Sequence, residues 1–347
     1  MNIEGPVCPV PLSRYPAIVM AHGGGGRLMR DLIENAFISA FGAVGDRPAH
    51  DSAALDLPTA RIAFTTDSFL IRPLYFPNAD IGELAVYGTV NDLAMGGARP
   101  LYLSASFILE EGLPVDTLMR VVQSMSRAAA DTGVAIVTGD TKVVEKGRCD
   151  GMYITTAGVG SLECVGTIGP AEVREGDTVI VSGDLGRHGI AVMAVREGFA
   201  FGTQIVSDCA PLWDPVQALL ASGAEVHCLR DLTRGGLASA LVEIAESAHI
   251  EVTVTEEAIP VADAVRSACE ILGYDPLHVA NEGRFVAFVR SDHADRAIEA
   301  LRTCAVSADA VSIGRVTARG EGRVLLRTVG GLRPVDMLSG EQLPRIC

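Results

Sequence analysis

The stretch from Arg99 to Asp140, RPLYLSASFILEEGLPVDTLMRVVQSMSRAAADTGVAIVTGD, limits the possible folds more than any other part of the chain. Its first and last portions are apolar, β-branched runs of strand length. The middle has proline near its start, an apolar face at helical spacing and glycine just past its end. Strand, helix and strand in such close succession predict a layered α/β domain. The same alternation continues on both sides. RIAFTTDSFLI reads as a strand, IGELAVYGTVNDLAMGG as a helix breaking at glycine, and GMYITTAGVG as a further strand.

At 347 residues the chain is long enough for about two domains. Turn residues in IGPAEVREGD mark a boundary, after which TVIVSGD opens a second mixed half. Expected helices there are GIAVMAVREG, APLWDPVQALLASG, GLASALVEIAESA, VADAVRSACEILG and ADRAIEALRTC. Expected strands are EVHCLRD, EVTVTE, RFVAFVR and GRVLLRTVG. The resulting division is a proline-rich arm over residues 1–20, a first domain over 21–168, a second over 169–338 and a tail over 339–347. The expected class is α/β, or α+β, with mixed sheets and flanking helices.

Several functions are disfavoured at once. A net charge of −15 argues against a nucleic-acid surface, which needs clustered Lys and Arg. No run of about 18 apolar residues predicts a membrane span, and the start MNIEGPVCPV lacks the form of a signal peptide, so a cytoplasmic protein is expected. The eight cysteines form no C-x-x-C pair, and most are expected to be small core residues. The P-loop and dinucleotide-binding glycine motifs are both missing.

What remains is a glycine run and a set of carboxylates. Gly23, Gly24, Gly25 and Gly26 precede a helix, so their N–H groups could wrap phosphate oxygens, although a plain hinge reads equally well. Asp67, Asp92, Asp140 and Asp231 sit at the ends or edges of expected elements among small or apolar neighbours. One such aspartate is most simply a cap. Four together suggest a shared divalent cation, since Mg2+ combines few carboxylates with phosphate oxygens. Lys142, two residues after Asp140, would share its strand face and suits a phosphate, or an ordinary salt bridge. Glu282, just before a strand, is a candidate general base. Asn91, Thr141 and Thr233, close to these aspartates in sequence, are candidate nucleotide contacts. His22 and His188, each beside glycine, read as turn or cap residues.

Across AHGGGGRLM, TTDSF, GTVNDLAMGGARPLYLSASFILEEGLP, IVTGDTKVVEKG, VSGDLGRHG, RDLTRGG, ANEGRF and the closing PRIC, the chain resembles the superfamily of aminoimidazole ribonucleotide synthetase, selenophosphate synthetase and thiamine-phosphate kinase. Within it, FILEEGLP, GDTKVV and PRIC resemble the HypE-like carbamoyl dehydratases of hydrogenase maturation. The resemblance implies a two-domain homodimer whose first domains pair through their sheets and which cleaves ATP between its domains with Mg2+. It implies that Cys347 is a carrier thiol, carbamoylated by a HypF-like carbamoyltransferase. The group is then dehydrated to a thiocyanate, and its cyanide passes to iron on a HypC–HypD complex for a [NiFe] hydrogenase. By position, Asp67, Asp92, Asp140 and Asp231 match acidic residues around nucleotide and metal, Gly23 to Gly26 match a mobile loop, and Lys142 and Glu282 match charged residues beside the tail. The arm before His22 is longer than usual for that family.

Chemistry supports the carrier reading. An amide oxygen leaves readily only after phosphorylation, so dehydration of S–CO–NH2 needs a nucleotide beside the amide and a base for its protons. A terminal thiol on a short tail can visit several partners. Two rival readings are a selenophosphate synthetase-like or other synthetase, for which the only upstream thiol is Cys8, and a non-catalytic nucleotide-binding scaffold.

Overall fold

The computed structural model describes residues 15–24, 26–42, 55–59, 61–162, 166–199, 204–338 and 346. Gly25, Cys347 and most of the expected arm and tail therefore lie outside the described residues.

A short 3-10 turn, Met20–Gly23, leads to helix α1 (Arg27–Leu32), which continues through a π-helical stretch, Ile33–Ile38, into a last turn, α2 (Ser39–Phe41). Strand β1 (Ile62–Phe69) and a small hairpin of β2 (Tyr75–Phe76) and β3 (Ala79–Asp80) precede helix α3 (Ile81–Met95). Asp80 caps α3, its carboxylate accepting from the N–H groups of Gly82 (2.7 Å) and Glu83 (3.2 Å). Strand β4 (Ala98–Glu110), helix α4 (Val115–Thr132), β5 (Ala135–Val144) and β6 (Met152–Leu162) complete the first sheet. Gly133 ends α4 in the left-handed conformation, φ 69°, which a side chain would disfavour.

The strand order is β1-β6-β4-β5, with only the β4–β5 pair parallel. Register fixes which residues share a face. Across the sheet, Asp67 stands opposite Thr156, Thr156 opposite Ala105, and Ala105 opposite Gly139. Thr156 hydrogen-bonds to Ala85 of α3, so this row faces the helices. The adjacent row, Ser68, Thr155, Ser106 and Asp140, faces the other way.

The second sheet has seven strands in the order β13-β12-β9-β11-β7-β10-β8. They are β7 (Thr178–Val181), β8 (Val226–Asp231), β9 (Ile250–Thr255), β10 (Phe285–Val289), β11 (Val311–Arg319), β12 (Arg323–Thr328) and β13 (Gly331–Val335). Helix α7 (Gly236–Ala248) packs with one apolar cluster of this sheet, and α6 (Trp213–Ala221) with α9 (Ala294–Arg302) packs with another. Helices α5 (Arg187–Glu197) and α8 (Asp263–Leu272) instead join the core of the first half. Ile190, Ala191, Cys209, Val265 and Val279 pack in one buried cluster with Ile71, Phe76, Ile81 and Leu84. The two halves are thus joined through apolar core.

The structure adds four strands to those expected, the short hairpin strands β2 and β3 and the longer β11 and β13. Of the described cysteines, Cys209, Cys228 and Cys269 are buried, while Cys149 and Cys304 are partly exposed. Among the described residues, no helix is long and apolar enough to cross a membrane.

A carboxylate cluster between the two domains

Asp67 lies in β1, Asp92 near the end of α3, Asp231 at the end of β8, and Glu282 just ahead of β10. The first two belong to one half and the last two to the other, and the junction brings all four within electrostatic reach. The Oδ2 of Asp92 accepts from the Thr65 hydroxyl at 2.7 Å, which ties α3 to β1. Asp67 accepts from the N–H of Ser68 at 2.7 Å.

These acids raise one another's affinity for protons. Burial pushes the Asp67 carboxyl up, partly offset by the Ser68 N–H and the Arg234 charge. Burial also raises Asp92, helped by Asp67 and opposed by the Thr65 hydrogen bond. Asp231 is pushed up to about 7, first by burial and then by Asp92. Glu282 is 3% exposed, and its Oε1 has no hydrogen-bond partner among the described residues. Burial holds its carboxyl well above the usual range, and Asp231, Asp208, Asp67 and Asp92 add to the effect. Among the described residues, no three His, Cys, Asp or Glu side chains converge as a ready-made metal cage. The set is hard oxygen donors in need of positive charge, which suits Mg2+ completed by phosphate oxygens.

Asp140 does not join this cluster. It lies on β5, three strand spacings from β1, or about 14 Å, and its side chain is on the opposite face of the sheet from Asp67. There both its oxygens accept from the Lys142 ammonium, at 2.8 and 2.7 Å, and this pairing holds the Asp140 carboxyl below the usual range. The expected shared face of Asp140 and Lys142 is therefore present. A single cation site using all four aspartates of one chain is not, because strand alternation separates them.

The candidate nucleotide contacts are placed unevenly. The amide of Asn91 is spent on backbone: its Nδ2 donates to Ala210 O (3.1 Å) and Glu282 O (3.4 Å), and its Oδ1 accepts from Leu212 N–H (2.7 Å). Asn91 is thus a strut that fixes the main chain at Glu282. Thr141 is 3% exposed and falls on the helix-covered face of β5, opposite Phe107. Thr233 opens the turn into α7, its carbonyl accepting from Gly236 N–H at 2.9 Å. Gly23 packs tightly on β5, where an added Cβ would lie 2.6 Å from the Val143 nitrogen, whereas Gly24 and Gly26 are exposed. The described part of the glycine run therefore lies beside the Asp140–Lys142 strand.

Asp208 was not singled out by the sequence, because VSDCAP matches no motif. Its two oxygens bridge separate loops, accepting from His188 N–H and Gly283 N–H, each at 3.0 Å. Gly283 must be glycine, since a Cβ there would fall on the Asp208 carbonyl. Asp208, Asn91 and Gly283 together set where Glu282 sits.

Comparison with known proteins agrees with this architecture. Residues 49–162 match the N-terminal domain profile of the AIR synthase related proteins, and residues 174–327 match the C-terminal one. Carbamoyl dehydratase HypE of Rhodobacter capsulatus is 51% identical over 96% of this chain and 99% of its own length. The crystal structure of hydrogenase maturation protein HypE in complex with ATP superposes with a TM-score of 0.90 at 44% identity, covering 95% of this chain and 99% of that one. HypE in a HypE–HypF complex gives a TM-score of 0.78 at 45% identity, covering 88% and 99%. An AIR synthase related fold in two matched halves, with near-complete coverage by carbamoyl dehydratases, places this chain in the HypE family of carbamoyl dehydratases.

Proposed function

We propose that this ATP-dependent carbamoyl dehydratase works on its own C-terminal residue, with Cys347 as the carrier and the carboxylate cluster as the nucleotide site. The observation that carries the reading is the electrostatic deficit at the domain junction. Asp67, Asp92, Asp231 and Glu282 are gathered where burial makes their charges costly, an arrangement that fits a site completed by a metal-bound triphosphate.

The reaction follows from this placement. The amide oxygen of S-carbamoyl-Cys347 attacks the γ-phosphorus of ATP, and ADP leaves. The C–O bond then breaks, phosphate departs with the oxygen, and nitrogen gives up its protons as S–C≡N forms. Asp67, Asp92 and Asp231 would hold Mg2+, which supplies positive charge against the phosphate oxygens. With the acidic neighbours of Glu282 so neutralised, its carboxylate becomes a base in a site nearly free of water. Lys142 steadies the phosphorylated oxygen, and the residues at Gly23 to Gly26 close over the nucleotide. The same reading keeps Asp140, Asn91, Thr141 and Thr233 in the nucleotide region, with Asn91 acting by position.

Lys142 and Asp140 share the open face of the first sheet, where Ile62, Phe64 and Ile108 are 44%, 68% and 39% exposed. A second copy laid on this face would bury that apolar surface and bring a pair of these charged residues to a common site, so the active species is a homodimer. Its partners are a HypF-like carbamoyltransferase, which loads the thiol, and a HypC–HypD complex, which takes the cyanide in the cytoplasm.

The test is intact-mass analysis of the C-terminal peptide after incubation with a carbamoylating partner and then with Mg-ATP. A carbamoyl adduct followed by loss of one water is expected, and Cys347→Ala should abolish both. An adduct that persists on another cysteine in that variant would refute the carrier assignment.

A further inference from the structure

Ile346 is 3% exposed and packs in the buried cluster that joins the two halves, with Phe76, Ile190 and Cys209 among its members. Its carbonyl oxygen, which belongs to the last peptide bond of the chain, lies 2.7 Å from Nε2 of His188.

Three further contacts fix what His188 does. The main-chain N–H of Cys209 donates to Ser207 Oγ at 3.0 Å, so the Ser207 hydroxyl proton is free to point at His188 Nδ1, 2.9 Å away. Nδ1 is then the acceptor, and the ring carries its proton on Nε2, aimed at the Ile346 carbonyl. The ring and that of Phe76 make a T-shaped contact with centroids 5.3 Å apart. His188 is fully buried, and burial holds it toward the neutral form. A neutral buried imidazole with one outward N–H is costly unless an acceptor meets it.

From this arrangement we propose that His188 and its apolar surround form a built seat for the penultimate residue of the chain, making His188 a positioning residue for the terminal thiol. The seat is coupled to the candidate base through Asp208, whose carboxylate accepts from the N–H of His188 and from that of Gly283, next to Glu282. One carboxylate thus sets both the tail anchor and the proton acceptor. The inference rests on the carrier role of Cys347. It adds that recognition reaches the residue before it, requiring an apolar side chain at 346 and a hydrogen-bond donor at 188.

The test labels the nucleotide-free protein with a maleimide and follows Cys347 by peptide mass, a readout independent of catalysis. It compares wild type, His188→Phe, His188→Gln, Ile346→Ala and the His188→Phe/Ile346→Ala double variant. Loss of the buried hydrogen bond in His188→Phe, and loss of the apolar side chain from the seat in Ile346→Ala, should each speed labelling of Cys347 by about tenfold. Gln, which can offer an N–H near the Nε2 position, should restore much of the wild-type rate. The double variant should label at least as fast as the quicker single variant, because the hydrogen bond to the main chain and the apolar side-chain contact are two separate holds on residue 346. Single-turnover dehydration of preloaded protein should slow in the same order, with loading unchanged. Equal labelling and dehydration rates in wild type, His188→Phe and Ile346→Ala would overturn the seat. Ile346→Ala, changed at the chain end, decides the matter even if His188→Phe folds poorly. Failure of the wild-type protein to dehydrate its adduct would count against the carrier function and leave the labelling result to judge the seat.

Discussion

Replacing Asp231 by Asn isolates the electrostatic cost of the cluster. The Asp231 carboxyl is raised from 3.8 to about 7, so at about 1.36 kcal/mol per pKa unit its ionised form is disfavoured in the fold by about 4 kcal/mol. Part of the residue still meets solvent, which reduces the figure to about 2–3 kcal/mol. The sign follows from linkage. Between roughly pH 4 and 7 the folded protein holds a proton on Asp231 that the unfolded chain has released, so the contribution of this group to wild-type stability falls as pH rises through that window. Asn carries no charge and should remove that fall. In EDTA and without nucleotide, Asp231→Asn should therefore melt roughly 5 °C higher than wild type at pH 8, with the two converging near pH 4. With Mg-ATP the order should reverse, since wild type alone gains a cation partner for this carboxylate. Thermal melts across pH 4–8 check this. A variant less stable than wild type at pH 8 without metal would refute the repulsion argument.

Two other substitutions separate chemistry from structure. Within one chain Lys142 and Asp140 are an exposed pair, with side chains 61% and 52% accessible, so Lys142→Ala should cost the protomer fold under about 1 kcal/mol. The same change should slow dehydration of preloaded protein by about 100-fold or more, and an unchanged single-turnover rate would remove Lys142 from the mechanism. Gly283→Ala should press on the Asp208 carbonyl and displace Glu282, slowing dehydration by at least about tenfold and lowering the melting temperature. Wild-type values for both would show that this loop tolerates the side chain.

The local elements were readable wherever periodicity and punctuation agreed. Helix α4, with Pro114 before it and Gly133 after it, and the strands around it fall where the pattern places them. Strand β11 was missed because VSIGRVTAR mixes glycine and arginine into an apolar run, and its place in the sheet comes from pairing with β7 and β9. Asp67, Asp92, Asp231 and Glu282 were identifiable as unusual acids, but only the domain junction shows that they act on one another. Asp140 was grouped with them by its similar surroundings in sequence. One residue of strand register is enough to put its carboxylate on the other face. Asp208 and His188 were the least legible. Each works through backbone groups of distant loops, including the main chain at residue 346, and no local spacing encodes such partners.

The claim on which the account turns is that Glu282 receives a proton from a carbamoyl group carried at the chain terminus. The most direct measurement is the mass of the C-terminal peptide during a single turnover of preloaded protein with Mg-ATP, comparing wild type with Glu282→Gln. Prompt loss of one water is expected in wild type, with the carbamoyl adduct persisting in Glu282→Gln while ATP still binds. Loss of water at the wild-type rate in Glu282→Gln would contradict it.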